Sequence, residues 1–258
     1  DTHAGLYVED YRAYLESSVH AEFDEWLQTR HEHRAMVEEM NGEYVEQWEG
    51  ENEWGLQGAY DPEIRDKALD ADGIAGEVIF ADGDAVTGME APPFGAGLHA
   101  GAITDPKLAW AGARAHNRWL EEFCASNPPR RAGVALVPIT HGVEESVKEV
   151  YALADKPGIR GIMIPTMWHD AESYGHEKYD PIWRACHETG LVVHTHSGEA
   201  DAEAYNENMA QYMLEVAFWT HRPLWQFLLS GKFDKYPNFK YVPVECGSWW
   251  LGDLLWKT

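Results

Sequence analysis

The stretch "YDPIWRACHETGLVVHTHSG", residues 179–198, decides the fold. It reads as one helix followed by one strand. Asp180 and Pro181 open the helix. An aspartate ahead of a helix accepts from backbone N–H groups that lack an intrahelical partner, and proline at the first helical position loses nothing by lacking its own N–H. Gly190 closes the helix, because the left-handed conformation that follows a last turn is least strained for glycine. Leu191–Val193 then form a short, continuously apolar run, the pattern of a strand in a parallel sheet covered on both faces. The strand ends in two histidines, His194 and His196, whose one-residue spacing puts both side chains on one face.

The same unit recurs outward along the chain. Asp61-Pro62 opens a helix to about residue 72, and "GIAGEVIF" (73–80) follows as a strand. Asp105-Pro106 opens a helix to about Asn127, and "AGVALVPI" (132–139) follows. Residues 142–155 read as a helix with Val143, Val147, Val150 and Tyr151 on one face, before the strand "IRGIMIP" (159–165). From His221 the chain reads as helical to about Lys232, and "FKYVPVECG" (239–247) is the next strand. "DTHAG" (1–5) reads as the end of a first strand, which makes six. Helix alternating with apolar strand predicts an α/β fold with a parallel sheet. The expected architecture is a (β/α)8 TIM barrel, with about six of its eight strand–helix units present. Residues 1–258 are read as a single barrel domain truncated at its C-terminus, the last two units being absent. Two stretches interrupt the pattern, at about 11–60 and 81–104. Both read as insertions between a strand and the following helix, which in such barrels lie over the mouth. The first reads as a charged helix over Ala21–Met40 followed by a polar, Trp-bearing loop.

Composition narrows the function. The chain has 258 residues and a formal net charge of −24. That charge repels nucleic-acid phosphates and anionic lipid, so neither is an expected partner. A small anionic substrate is still compatible, because a metal ion can dominate the field inside a cleft. No run of 18 apolar residues predicts a transmembrane helix, and no basic start followed by an apolar stretch resembles a signal peptide. Cys124, Cys186 and Cys246 are odd in number and widely spaced, which argues against a disulfide framework and for a reducing, cytoplasmic setting.

In a parallel barrel, reactive side chains gather at the carboxyl ends of the strands. Asp1 and His3 share a face at the end of the first strand, as His194 and His196 do on the fifth. Glu245 ends the apolar "YVPVE" (241–245). A buried carboxylate needs a partner, and a salt bridge and a functional role both remain open for it. Carboxylate and imidazole donors converging from several strands suit Zn²⁺, Mn²⁺ or Fe²⁺ with a position left for substrate. His99, in the insertion after the second strand, and His169, after the fourth, lie at the correct end for substrate contact. Trp249, beside Trp250, is placed to line an aromatic-friendly pocket. His31 and His33 read as solvated, and His116 and His187 as helix residues.

The blocks "DTHAG", "ALDADGIAGEVIF", "HNRWLEEFCASNPPRRAGVALVPI", "GIRGIMIP", "YDPIWRACHETGLVVHTHSG" and "FDKYPNFKYVPVECGSWWL" resemble, in order, those of the amidohydrolase-related family. The similar branch contains aminocarboxymuconate-semialdehyde decarboxylase, γ-resorcylate decarboxylase and carboxyvanillate decarboxylase. The resemblance implies a single divalent metal ion, zinc first, with manganese or iron as alternatives. Asp1 and His3 match the acid-x-His form of the family's first-strand motif, and His196 matches its fifth-strand histidine. A further aspartate ligand after the eighth strand has no counterpart here. Where several decarboxylases carry a histidine after the sixth strand, this chain has Glu245, a candidate general acid or base or a group that orients water. His194, one pleat back, reads as a support for catalysis rather than a ligand. The implied activity is that of a metal-dependent hydrolase or carbon–carbon lyase on a small cyclic or aromatic carboxylic acid. Non-oxidative decarboxylation is the alternative within the family, and a non-catalytic ligand-binding barrel the alternative outside it. Members of the family it resembles are often dimers or larger, so the resemblance implies a homodimer as the expected assembly.

Overall fold

The computed structural model describes residues 1–81, 92–98, 103, 105–166, 171–198 and 209–257, without the side chains of 33, 37 and 209. Six strands form one sheet: β1 (Thr2–Ala4), β2 (Glu77–Ala81), β3 (Arg131–Leu136), β4 (Ile159–Met163), β5 (Val192–His196) and β6 (Tyr241–Val244). They lie in sequence order and every neighbouring pair is parallel. The helices are α1 (His20–Glu51), α2 (Glu53–Tyr60), α3 (Pro62–Ala71), α4 (Pro106–Ala125), α5 (Val143–Ala154), α6 (Asp180–Thr189), α7 (Met209–Leu229), α8 (Lys232–Lys235) and α9 (Leu251–Lys257).

The sheet is curled. Four pairing steps separate β1 from β5, which in a flat sheet would hold them about 19 Å apart. Yet the ring centroids of His3 on β1 and His196 on β5 are 4.8 Å apart. Only a sheet bent round on itself brings those side chains together, as in part of a barrel. This is the incomplete barrel that the strand pattern predicts.

Alternation along the strands divides the core. Ile79, Ala135, Ile162 and Val193 face outward and pack with Leu120, Phe123, Trp183 and Phe227. Phe80, Val134, Leu136, Met163 and, partly buried, Val244 line the concave side. Two helix starts follow the predicted chemistry. Asp61 accepts from the N–H groups of Glu63 (2.8 Å) and Ile64 (3.0 Å), and Asp105 accepts from that of Lys107 (2.8 Å). Asp180 does not. Its carboxylate is taken by Lys232 and Lys235 from α8. Two ammonium groups outcompete uncharged N–H donors for one buried carboxylate, and they pin α8 against α6. Gly190 does end α6 in the left-handed region, at φ 78°.

The stretch after Met40 departs from the expected loop. A non-helical residue, Asn41 (φ −138°, ψ 26°), interrupts α1 there, but helix resumes to Glu51 and continues as α2. Good helix formers and i,i+4 pairs sustain it, with Gln47 donating to Glu51 (2.7 Å) and Gln57 to Glu53 (3.1 Å). In α7, Pro223 stands inside the helix. The nearby Thr220 carbonyl accepts from the Thr195 hydroxyl (2.6 Å) and the Tyr241 hydroxyl (2.9 Å), tying α7 to β5 and β6. No helix among the described residues is long and apolar enough to cross a membrane. Cys124, Cys186 and Cys246 are free and buried.

Candidate metal centre

Three strand ends meet at the mouth of the curl. Asp1 precedes β1, His3 lies within it, His196 ends β5, and Glu245 follows β6 directly. Each offers one nitrogen or oxygen, and the four donor atoms all lie within 4.8 Å of one another. His196 Nε2 is 3.1 Å from Asp1 Oδ2 and 3.8 Å from Glu245 Oε2. His3 Nε2 is 3.9 Å from Asp1 Oδ2 and 3.7 Å from Glu245 Oε1. The His196 side chain is almost wholly buried, Asp1 and His3 are partly covered, and Glu245 is about half exposed.

Hydrogen bonding sets which nitrogen of each imidazole faces inward. His3 Nδ1 is 2.9 Å from the Ala81 carbonyl, and His196 Nδ1 is 2.7 Å from the Ser197 carbonyl. A carbonyl only accepts, so Nδ1 carries a hydrogen in both rings, and Nε2 is the nitrogen turned to the cluster, with a lone pair whenever the ring is neutral. Burial pushes the His196 pKa below its ordinary value, favouring the neutral ring. His196 Nε2 also lies within hydrogen-bond distance of Asp1 Oδ2, at 3.1 Å. Four such nitrogen and oxygen atoms so close together form a set that a cation can share. Metal-ligating histidines are held in the same way, each imidazole donating from its other nitrogen to a carbonyl or carboxylate. The donor set therefore fits a divalent ion.

Phe80 forms the floor. Buried on β2, its ring lies 5.0 Å from that of His196, 5.4 Å from His194 and 6.4 Å from His3. His194 lies one pleat below His196 and is not among the four donors. Its Nδ1 is 3.1 Å from the Val192 carbonyl, and burial lowers its pKa to about 4, so it is neutral at ordinary pH. Gly161 on β4 makes room for that ring: a Cβ there would come within 2.6 Å of His194 Cε1. Trp249 is exposed, its ring edge-on to His221 at 6.5 Å, while Trp250 stacks on His221 at 4.2 Å. His99 and His169 lie outside the described residues.

Sequence reasoning did not single out Phe80, Gly161 or the two orienting carbonyls. Phe80 and Gly161 carried a signal. An aromatic at the inward position of a strand end, and a glycine inside a neighbouring strand, mark a floor and a close approach. The carbonyls carried none, since every residue has one.

The sequence profile of the family described as Amidohydrolase matches residues 81–257. No curated protein matches the chain. Among solved structures, 5-carboxyvanillate decarboxylase from Novosphingobium aromaticivorans, complexed with manganese and 4-hydroxy-3-methoxy-5-nitrobenzoic acid, is similar with TM-score 0.61 and 23% identity, over 78% of this chain and 55% of that one. An amidohydrolase from Mycobacterium avium subsp. paratuberculosis has TM-score 0.57 and 21% identity, over 78% of this chain and 52% of that one. 2,6-Dihydroxybenzoate decarboxylase from Rhizobium has TM-score 0.53 and 19% identity, over 69% of this chain and 53% of that one. The chain thus spans about half the length of the structures it matches. The profile match covers most of the sequence, and the curled parallel sheet is the fold it requires; the chain belongs to the amidohydrolase family.

Proposed function

We propose that the protein is a metal-dependent hydrolase or carbon–carbon lyase acting on a small cyclic or aromatic carboxylic acid, with Asp1, His3 and His196 holding one divalent cation. The observation that carries this reading is the convergence of lone-pair donors from three strand ends, all within 4.8 Å. Such a cation, when bound, supplies Lewis-acid polarisation of a substrate carboxylate or carbonyl oxygen. The rest belongs to the chain. His3 and His196 keep Nε2 aimed inward because their Nδ1–H groups are engaged by carbonyls. Phe80 underlies three of the imidazoles and, with Leu136 and Met163, excludes water from below. Glu245, open to the mouth, turns one carboxylate oxygen to each ring, and the oxygen not given to the ion takes up and returns a proton. His194, neutral and packed against Phe80, supports the floor. Residues 1–258 are read as part of one barrel domain.

Decarboxylation is the second reading. It is supported by the names of two of the similar structures, each a decarboxylase of a substituted benzoic acid. Manganese is supported by the first of these, and zinc by the nitrogen-containing donor set. The test is to strip the protein of metal, reload it separately with Zn²⁺ and Mn²⁺, and offer hydroxylated benzoic acids and cyclic esters. Carbon dioxide release identifies the lyase, and ring opening with proton release the hydrolase. Metal-dependent turnover that disappears in His196→Ala is expected. Equal turnover by the stripped and reloaded protein would contradict the proposal.

A further inference from the structure

We propose that Glu245 is itself a ligand of the ion, the fourth donor that closes the site, rather than a carboxylate standing free beside it. This rests on the reading that Asp1, His3 and His196 hold a cation.

The first support is backbone direction. On β6, Tyr241 packs into the outer core and Val244 joins the inner one. Simple alternation would therefore turn Glu245 outward, toward the helices. Its carboxylate is nonetheless in the mouth with the two imidazoles. The reversal is made by a left-handed backbone: Glu245 has φ 54°, and Phe94 is the only other described non-glycine residue with positive φ. Such a conformation is strained for a residue with a Cβ, and persists where the surroundings over-determine it. Here the strain redirects one carboxylate into the donor cluster.

The second support is spacing. Glu245 divides its two oxygens between the rings, Oε1 at 3.7 Å from His3 Nε2 and Oε2 at 3.8 Å from His196 Nε2. Ligands about 2.1 Å from a tetrahedral ion lie about 3.4 Å apart. The Glu245 separations are close to that edge, as are those from Asp1 to His196 (3.1 Å) and His3 (3.9 Å).

The third support is charge. Among the described residues, the only ion-pair partners of Glu245 are those two imidazoles, and no lysine or arginine reaches it.

The test uses the metal-stripped protein titrated with Co²⁺, read by calorimetry and by the visible absorption of the cobalt centre. The native chain is expected to take one Co²⁺. Glu245→Gln removes the anionic donor while keeping the shape. Glu245→Gly removes it while suiting the left-handed backbone, so misfolding cannot account for its result. Both should bind Co²⁺ more than about 100-fold more weakly, beyond the range given by a residue that only supports a ligand. Both should also change the cobalt spectrum at saturation. If both variants stay within about threefold of the native affinity while His196→Ala loses the ion, Glu245 is not a ligand and the three-residue reading survives. If the native chain takes no Co²⁺, that reading and the present one both fall.

Discussion

Two clusters of carboxylates and nitrogens sit at opposite ends of the same sheet, and they are built from different nitrogens. At the base, Glu77 opens β2 with its side chain wholly buried. It accepts from Arg65 Nη2 (2.8 Å), Arg65 Nε (3.0 Å) and the Thr2 hydroxyl (2.9 Å). Arg131 Nε faces its other oxygen at 3.5 Å, and Arg131 is held in turn by Asp66 (2.7 Å). At the mouth, Asp1 and Glu245 face the imidazoles of His3 and His196. A guanidinium is always charged and only donates. Every nitrogen at the base brings a proton and a share of positive charge, so the chain itself supplies the counter-charge there, although Glu77 Oε1 and Arg131 Nε face each other without a hydrogen bond. The mouth brings imidazoles, which carry no permanent charge and offer a lone pair at Nε2 when neutral. The kind of nitrogen beside a carboxylate, more than the carboxylate, separates a structural cluster from one built to bind.

The comparison breaks most readily at Glu77. Removing it in Glu77→Ala leaves the buried Arg65 and Arg131 charges without their shared partner, which should lower stability by about 3–5 kcal/mol. Urea unfolding measures this, and metal stoichiometry in the folded fraction should not change. A loss below about 1 kcal/mol would place the base cluster among ion pairs of little structural weight.

A smaller effect separates a core imidazole from the mouth imidazoles. His116 on α4 is fully buried, with Nδ1 2.9 Å from the Tyr11 hydroxyl, and burial lowers its pKa from 6.5 to about 3. The folded value is the depressed one, so between those two values the unfolded chain holds the extra proton. The stabilising contribution is complete above pH 6.5 and is lost as pH falls toward 3. The slope from this one group should approach about 1.4 kcal/mol per pH unit. In His116→Gln, unfolding curves between pH 6.5 and 4.5 should show a shallower fall by that amount. The difference should be the same with and without divalent metal, because His116 has no part in the mouth. An unchanged slope would contradict the assignment.

Much of this was legible beforehand. Asp-Pro starts, glycine stops and short apolar runs locate the helices and strands, and the rule that barrels gather chemistry at carboxyl strand ends pointed to Asp1, His3, His196 and Glu245. What the pattern could not carry was mostly geometry that two residues decide between them. Asp180 reads like Asp61 and Asp105, but lysines over fifty residues away claim its carboxylate. The second half of α1 and α2 looked like a loop because tryptophans interrupt a polar run, although side-chain pairs hold it helical. The inward turn of Glu245 runs against alternation and is visible only as a backbone angle.

The most direct test is diffraction from crystals of the protein grown with Mn²⁺ or Zn²⁺, with anomalous data collected at the absorption edge of the ion. One anomalous peak is predicted, enclosed by Asp1, His3, His196 and Glu245 at about 2.0–2.2 Å from each donor. A protein that crystallises with these four side chains as placed here and shows no peak among them, or one only elsewhere, would contradict the account.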